Sequence, residues 1–155
     1  MKKLIYYRST TPENPETGYM DHWELSENDR ILSGGHCSTC PNPYRQSDHK
    51  TWQECYALVD VGEYTFLCDD HYKFGMCLYV NDGGKVYTVN PNQNHDGKNY
   101  AVGIFVHAGG RKSDNKKWRG SAGCFTHHPD DWDNFINHFK IGERGILVIQ
   151  NFIKT

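Results

Sequence analysis

The chain has 155 residues and a net charge of −2, so it is long enough for one domain with a real core and carries no basic excess for nucleic acid or an anionic membrane surface. A chain of this size buries roughly two thirds of its unfolded surface and needs no covalent staples to fold. Aromatic residues make up 14%, including ten tyrosines and four tryptophans. They point either to a core filled by rings or to a polar groove for an amphipathic sugar or peptide.

No apolar run approaches the ~18 residues of a membrane span. Met1-Lys2-Lys3 opens like a secretory signal, but its apolar part is only Leu4 to Tyr7, shorter than the roughly 7–15 residues such a signal needs. The expectation is synthesis in the cytoplasm without a signal peptide, and delivery by another system if the target lies outside.

Lys3 to Arg8 reads as a short strand. Thr10 to Gly18 holds two prolines, two glutamates and a glycine, and reads as a loop. Tyr19 to Ser26 alternates weakly, as an edge strand does. Ile31-Leu32 precedes Ser33-Gly34-Gly35, a turn signal. His36 to Lys50 has no periodicity and is dense in Cys, Pro, Asn, Ser and His. Trp52 to Val61 fits a short helix or a strand. Gly62–Cys68, Met76–Val80 and Lys85–Val89 are rich in β-branched and aromatic residues, and Asn81-Asp82-Gly83-Gly84 between the last two signals a hairpin. Pro91 to Asn99 reads as a polar loop, Ala101 to His107 as the most apolar strand and Gly145 to Ile153 as a closing strand.

One helix stands out. Pro129 suits its first position. Asp130, Asp131 and Asp133 place negative charge where the helix dipole favours it. Trp132, Phe135, Ile136 and Phe139 fall at i, i+3, i+4 and i+7, one apolar face, and Gly142 suits the stop. The predicted architecture is mostly β, sandwich- or barrel-like, with one main α-helix. No apolar strip is left over, so a monomer is expected.

Two constellations carry chemistry. The first is His107 at the end of the apolar strand and Cys124, 17 positions later, on a glycine turn. A cysteine attacks as the thiolate and needs a base to take its proton; histidine, titrating near neutrality, is the usual one. Gly123 permits a tight turn that lets backbone amides face a substrate carbonyl, and Ser121 holds that turn through its hydroxyl. His127 and His128 read as solvated residues at the helix start, His95 and Asp96 as loop residues, and Tyr100 and Phe105 as packing residues. Trp118 reads as a groove wall or a loop anchor.

The second is Cys37-x-x-Cys40 with Cys68-x-x-His71, two ligand pairs with the spacing of a tetrahedral structural zinc site. Such a clip would also hold His36 to Lys50 in place. Disulfides or reduced buried thiols are the alternatives. A free Cys124 leaves five cysteines, which cannot all pair.

The stretch from Ala101 to Phe139, with His107, thirteen residues, then Ser121-x-Gly123-Cys124, resembles the catalytic domain of the L,D-transpeptidase (YkuD-like) family. That resemblance implies a mostly-β L,D-transpeptidase-like fold with the helix following the catalytic cysteine. It implies Cys124 as nucleophile, His107 as base, amides of Gly123 and Cys124 as the oxyanion site, and Ser121 supporting the turn. Ala122 stands where the family has a second histidine, and Phe125-Thr126 where a basic or amide side chain usually follows. Substrate charge would then be met by Arg119 or Arg111, with Trp118 beside them.

The implied reaction is acyl transfer on peptidoglycan stem peptides, without a catalytic cofactor, by hydrolysis or amine exchange. The implied context is the bacterial cell wall or periplasm, as a phage lysis enzyme or antibacterial effector. A zinc-stabilised glycan- or peptide-binding module without catalysis is the rival reading. A zinc hydrolase built on Cys37, Cys40 and His71, with Asp69 or Asp70 as base, is a third.

Overall fold

A computed structural model gives the architecture; it describes residues 1–9, 18–40, 57–92, 95–111 and 123–152. Ten strands are described: β1 (Lys2–Arg8), β2 (Asp21–Glu27), β3 (Arg30–Ser38), β4 (Gly62–His71), β5 (Gly75–Val80), β6 (Val86–Asn92), β7 (Lys98–Ala101), β8 (Phe105–Ala108), β9 (Phe125–His127) and β10 (Arg144–Asn151). One helix, α1 (Pro129–Ile136), follows β9. Eight strands close into a barrel in the order β1-β10-β4-β5-β8-β9-β3-β2, while β6 and β7 pair with each other outside it. Most neighbours are antiparallel; β1 with β10 and β8 with β9 are parallel. The fold is the mostly-β, barrel-type one expected.

Alternation along the strands fills the barrel. Leu4 and Tyr6 of β1, Trp23 and Leu25 of β2, Phe66 and Cys68 of β4, Leu78 and Val80 of β5, and Leu147 and Ile149 of β10 all belong to one buried cluster. The helix adds Phe135 and Ile136, with Phe139 just past its end. Phe135 packs edge-on against Trp23 at 4.9 Å, and Phe139 against Phe66 at 5.4 Å. β2 and β4 are three strands apart around the barrel, so these two rings pack the end of the helix against separate parts of its wall.

The helix starts as its sequence signals. Pro129 sits in the first turn, and the His128 side chain caps it by accepting from the Asp130 amide at 3.1 Å. The Asp131 carboxylate accepts from the His36 amide at 3.1 Å, tying the helix to β3.

Several expectations are corrected. Residues 21–27 are not an edge strand: β2 pairs with β1 on one side and β3 on the other. Ser33-Gly34-Gly35 is no turn but the middle of β3. A Cβ at Gly35 would stand 2.8 Å from the Trp23 indole nitrogen and 2.7 Å from the Asp131 carboxylate, so this glycine admits neighbours rather than bending the chain. The bend lies earlier, at Asn28 and Asp29, both with positive φ. Asn81-Asp82-Gly83-Gly84 does not join a β5–β6 hairpin. A short 3-10 turn (Asn81–Gly83) lets the chain leave the barrel there, β5 pairs with β4 and β8, and β6 pairs with β7. Residues 101–107 are not one strand: β7 ends at Ala101, and Gly103, at φ +68°, turns the chain into β8. Residues 10–17 and 41–56, hence most of the loop and spacer readings, lie outside the described residues.

The seam between the parallel strands β1 and β10 is tight. A Cβ on Gly145 would clash with the edge of the Phe66 ring and stand 2.5 Å from the Lys2 carbonyl oxygen. Gly145→Ala is therefore expected to destabilise the fold by about 1–3 kcal/mol, as overpacking does. Urea unfolding of the purified variant checks it; an unchanged midpoint would show that the seam yields.

Candidate functional site

The site is built on two parallel strands. Val106 pairs with Phe125 and His107 with Thr126. Val106 and Phe125 face the barrel interior, where Phe125 meets Tyr6 at a ring separation of 5.2 Å. Alternation then sends Phe105, His107, Cys124 and Thr126 to the outer face. A histidine and a cysteine 17 positions apart thus share one face of one strand pair.

Cys124 lies just before β9 and is half-buried. Its Sγ accepts from the Phe105 amide at 3.5 Å and lies 3.9 Å from the Gly103 carbonyl oxygen, to which the thiol can donate. Gly123, before it, has φ +154°. A Cβ there would meet the Ala57 carbonyl oxygen and the Ile104 Cδ1, each at 3.2 Å. Both the backbone angle and the crowding call for glycine. Burial pushes the Cys124 thiol above its ordinary value, opposed by the Phe105 amide and the Lys73 charge. The resting group is a thiol, not a thiolate.

His107 is 4% exposed. Its Nδ1 lies 2.9 Å from the Ala108 carbonyl oxygen. A carbonyl only accepts, so Nδ1 carries the proton and Nε2 is left with its lone pair. Among the described residues, the buried Nε2 has no hydrogen-bond partner, and neither has the hydroxyl of its register partner Thr126. Burial pulls the His107 imidazole down to about 4; the bond to Ala108 opposes this, and Lys73 and His71 add to it. At neutral pH His107 is an uncharged imidazole of fixed tautomer, and it shares the outer face of the β8–β9 pair with the protonated Cys124 thiol.

The turn between β4 and β5 roofs this face. Phe74 lies flat on His107, with ring centroids 3.9 Å apart and planes 5° from parallel. His71 packs against Phe74 and Phe105, each at 4.7 Å, and against Tyr72 at 4.6 Å. Cys77 of β5 is fully buried, and burial, with Cys68 and Cys124 nearby, pushes its thiol up to about 12. Sequence reasoning missed Phe74, Lys73, Cys77 and the Ala108 carbonyl. Hairpin turn residues and main-chain acceptors leave no motif, and only the β4–β5–β8 pairing brings them here.

The other sequence candidates fall differently. Ser121, Trp118 and Arg119 lie outside the described residues. Arg111 is exposed and engages the Asp130 carboxylate at the start of α1. Cys37 and Cys40 are buried near each other at the end of β3. Cys68 faces the barrel core, whereas His71, three positions along the same strand, faces outward with its Nδ1 accepting from the Lys73 amide at 3.1 Å. A period of two sends such a pair to opposite faces, so the x2 spacing that suits a turn does not chelate from a strand. Among the described residues no group of three or more His, Cys, Asp or Glu side chains is gathered to hold a metal.

His127 is not a solvated residue. It is fully buried, stacked on Trp23 at 5.0 Å and bonded through Nε2 to the Tyr6 hydroxyl at 2.7 Å, and burial holds it well below its ordinary value. Its neighbour His128 caps the helix. No described helix is long and apolar enough to cross a membrane.

Comparison with known proteins adds little to this geometry. No family model matches the chain, and no curated protein matches it. Among solved structures, the crystal structure of Mycobacterium tuberculosis L,D-transpeptidase 1 is similar, at 12% identity and a TM-score of 0.44, over 96% of this chain. The chain spans 62% of that protein's length.

The two buried histidines give a pH prediction with a definite sign. Both are held below their unfolded value of 6.5. The unfolded chain therefore binds more protons as pH falls below about 6.5, and stability is lost progressively down to the folded value of His107, about 4. The His107 share is ~3 kcal/mol, at about 1.4 kcal/mol per pKa unit. Thermal unfolding should show a falling midpoint across this window, with a shallower slope in His107→Gln. Equal slopes would remove His107 from the account.

Proposed function

We propose that the protein is a cysteine acyl-transfer enzyme acting on the stem peptides of peptidoglycan at the bacterial cell wall. The observation that carries the chemistry is Cys124 and His107 on one outer face of adjacent parallel strands, with the Nδ1 proton of His107 engaged by the Ala108 carbonyl. The choice of substrate rests on the resemblance of residues 101–139 to L,D-transpeptidase catalytic domains.

In the first half-reaction His107 Nε2 takes the proton from Cys124 Sγ as the sulfur attacks the carbonyl carbon of a peptide amide. The tetrahedral oxyanion faces the backbone amides of Gly123 and Cys124. His107 then returns the proton to the leaving amine, and a thioester remains on Cys124. In the second half-reaction His107 deprotonates the acceptor, which attacks the thioester and releases Cys124. Water as acceptor gives peptidase action; an amine gives exchange or a cross-link.

Two features support this order of events. The imidazole is neutral down to about pH 4, so at neutral pH its Nε2 lone pair is not already taken by a proton. The thiol is held protonated by burial, so the nucleophile forms only as the proton leaves.

Purified peptidoglycan treated with the wild type should release shortened or cut stem peptides, identified by mass, while Cys124→Ala should leave it as in the untreated control. Identical digests across several peptidoglycan types would reject the reading. Iodoacetamide labelling read by peptide mass should slow at Cys124 by roughly tenfold or more in His107→Ala, since a positioned base contributes about 10²–10⁴-fold. Gly123→Ala, which forces Cys124 off its seat, should lower the release of products by a similar factor while the protein remains folded.

A further inference from the structure

Phe74 has a place in the fold that packing alone does not account for. It lies in the turn between β4 and β5, where His71 pairs with Gly75 across the strand ends. Such turn tips usually carry polar residues. Gly75, at φ +70°, gives the turn its tight return. Phe74 is only half-buried and is absent from the barrel's core cluster. It folds back onto the outer wall, with His107 face to face at 3.9 Å and 5°, and His71 and Phe105 at 4.7 and 6.1 Å.

A histidine that moves protons must keep one ring nitrogen aimed at a fixed point. Its χ2 torsion is broad, so one hydrogen bond in the ring plane leaves the ring free to rock about that bond. The Nδ1 bond to Ala108 is of that kind. A parallel ring at van der Waals distance blocks the remaining, out-of-plane motion and keeps water off one face of the imidazole.

We propose that Phe74 is the positioning residue for His107, holding the imidazole plane and so fixing where Nε2 points on the face that it shares with Cys124. The proposal rests on the acyl-transfer reading above. Phe74 touches no reacting atom; it acts through His107. It also assigns the β4–β5 turn to the site rather than to the scaffold.

The charged and titratable groups facing His107 are few: His71 and Lys73 from the turn, Cys77 from β5, Cys124 from the start of β9, and His127 behind it on the inward face. A change in its titration on replacing Phe74, which carries no charge, is therefore a change in the ring's cover and position.

Phe74→Leu keeps an apolar side chain and removes the flat stack; Phe74→Tyr restores the stack. In Phe74→Leu, kcat for stem-peptide release should fall about tenfold with KM little changed. The acid limb of the pH profile should move upward from about 4 toward the ordinary histidine value of 6.5. Phe74→Tyr should return both to wild-type values. His107 ring titration followed by NMR in the Cys124→Ala background reads the same shift without turnover. A Phe74→Leu protein that is folded by circular dichroism, with wild-type kcat and an unmoved His107 titration, overturns the proposal. A wild-type protein inert on every peptidoglycan overturns instead the acyl-transfer reading on which it rests.

Discussion

The parallel pairing of β8 with β9 is the constraint on which the rest of the molecule depends. It is short: three register pairs, Val106 with Phe125, His107 with Thr126, and Ala108 with His127. The rows of side chains on its two faces have separate tasks. Inward, Val106, Phe125 and His127 join the barrel core. Outward, Phe105, His107, Cys124 and Thr126 form the site. Parallel neighbours cannot be joined by a tight turn, so a connection must leave His107 and return at Cys124. That is why the two groups stand 17 positions apart in sequence and yet on one face of one strand pair.

Burial then sets the electrical state of this pair. Desolvation is the largest influence on both groups and favours the neutral form of each. An ion pair, common in thiol enzymes, is thus disfavoured at rest. Two main-chain groups add to this: the Ala108 carbonyl chooses the tautomer of His107, and the Phe105 amide faces the sulfur. These are main-chain groups held by the sheet, so in the proposed reaction they would need no reorganisation.

Much of this was legible in the sequence, and the failures have physical causes. Strand periods in residues 3–8, 62–68 and 145–153, and the helix from Pro129, follow from local patterning and survive folding. His107 was expected on a strand and Cys124 after a glycine turn, and the β8–β9 register puts both on one outer face. Gly34-Gly35 misled because a glycine that admits a tryptophan looks like a glycine that turns. Asn81-Asp82-Gly83-Gly84 does turn the chain, but partner choice belongs to the sheet, and β5 already has partners on both sides. His127-His128 looked like a solvated doublet; strand alternation sends the first ring into the core and leaves the second to cap the helix. The C-x-x-C and C-x-x-H pairs have metal spacing only if both lie on turns, and Cys68 and His71 lie on a strand. Phe74 was silent because its role exists only once β4 and β5 are folded against β8.

The parallel seam of β1 and β10 has a consequence for the order in which the molecule assembles. The first strand of the barrel cannot gain its second neighbour until the last strand has been made. Without β10, the barrel order leaves β1 and β4 as open edges on either side of the gap. The pairing joins residues more than a hundred positions apart, the kind of contact that slows folding. Any form without β10 in place would leave unpaired edges on β1 and β4, the kind that can join other strands, and β10 covers both at once.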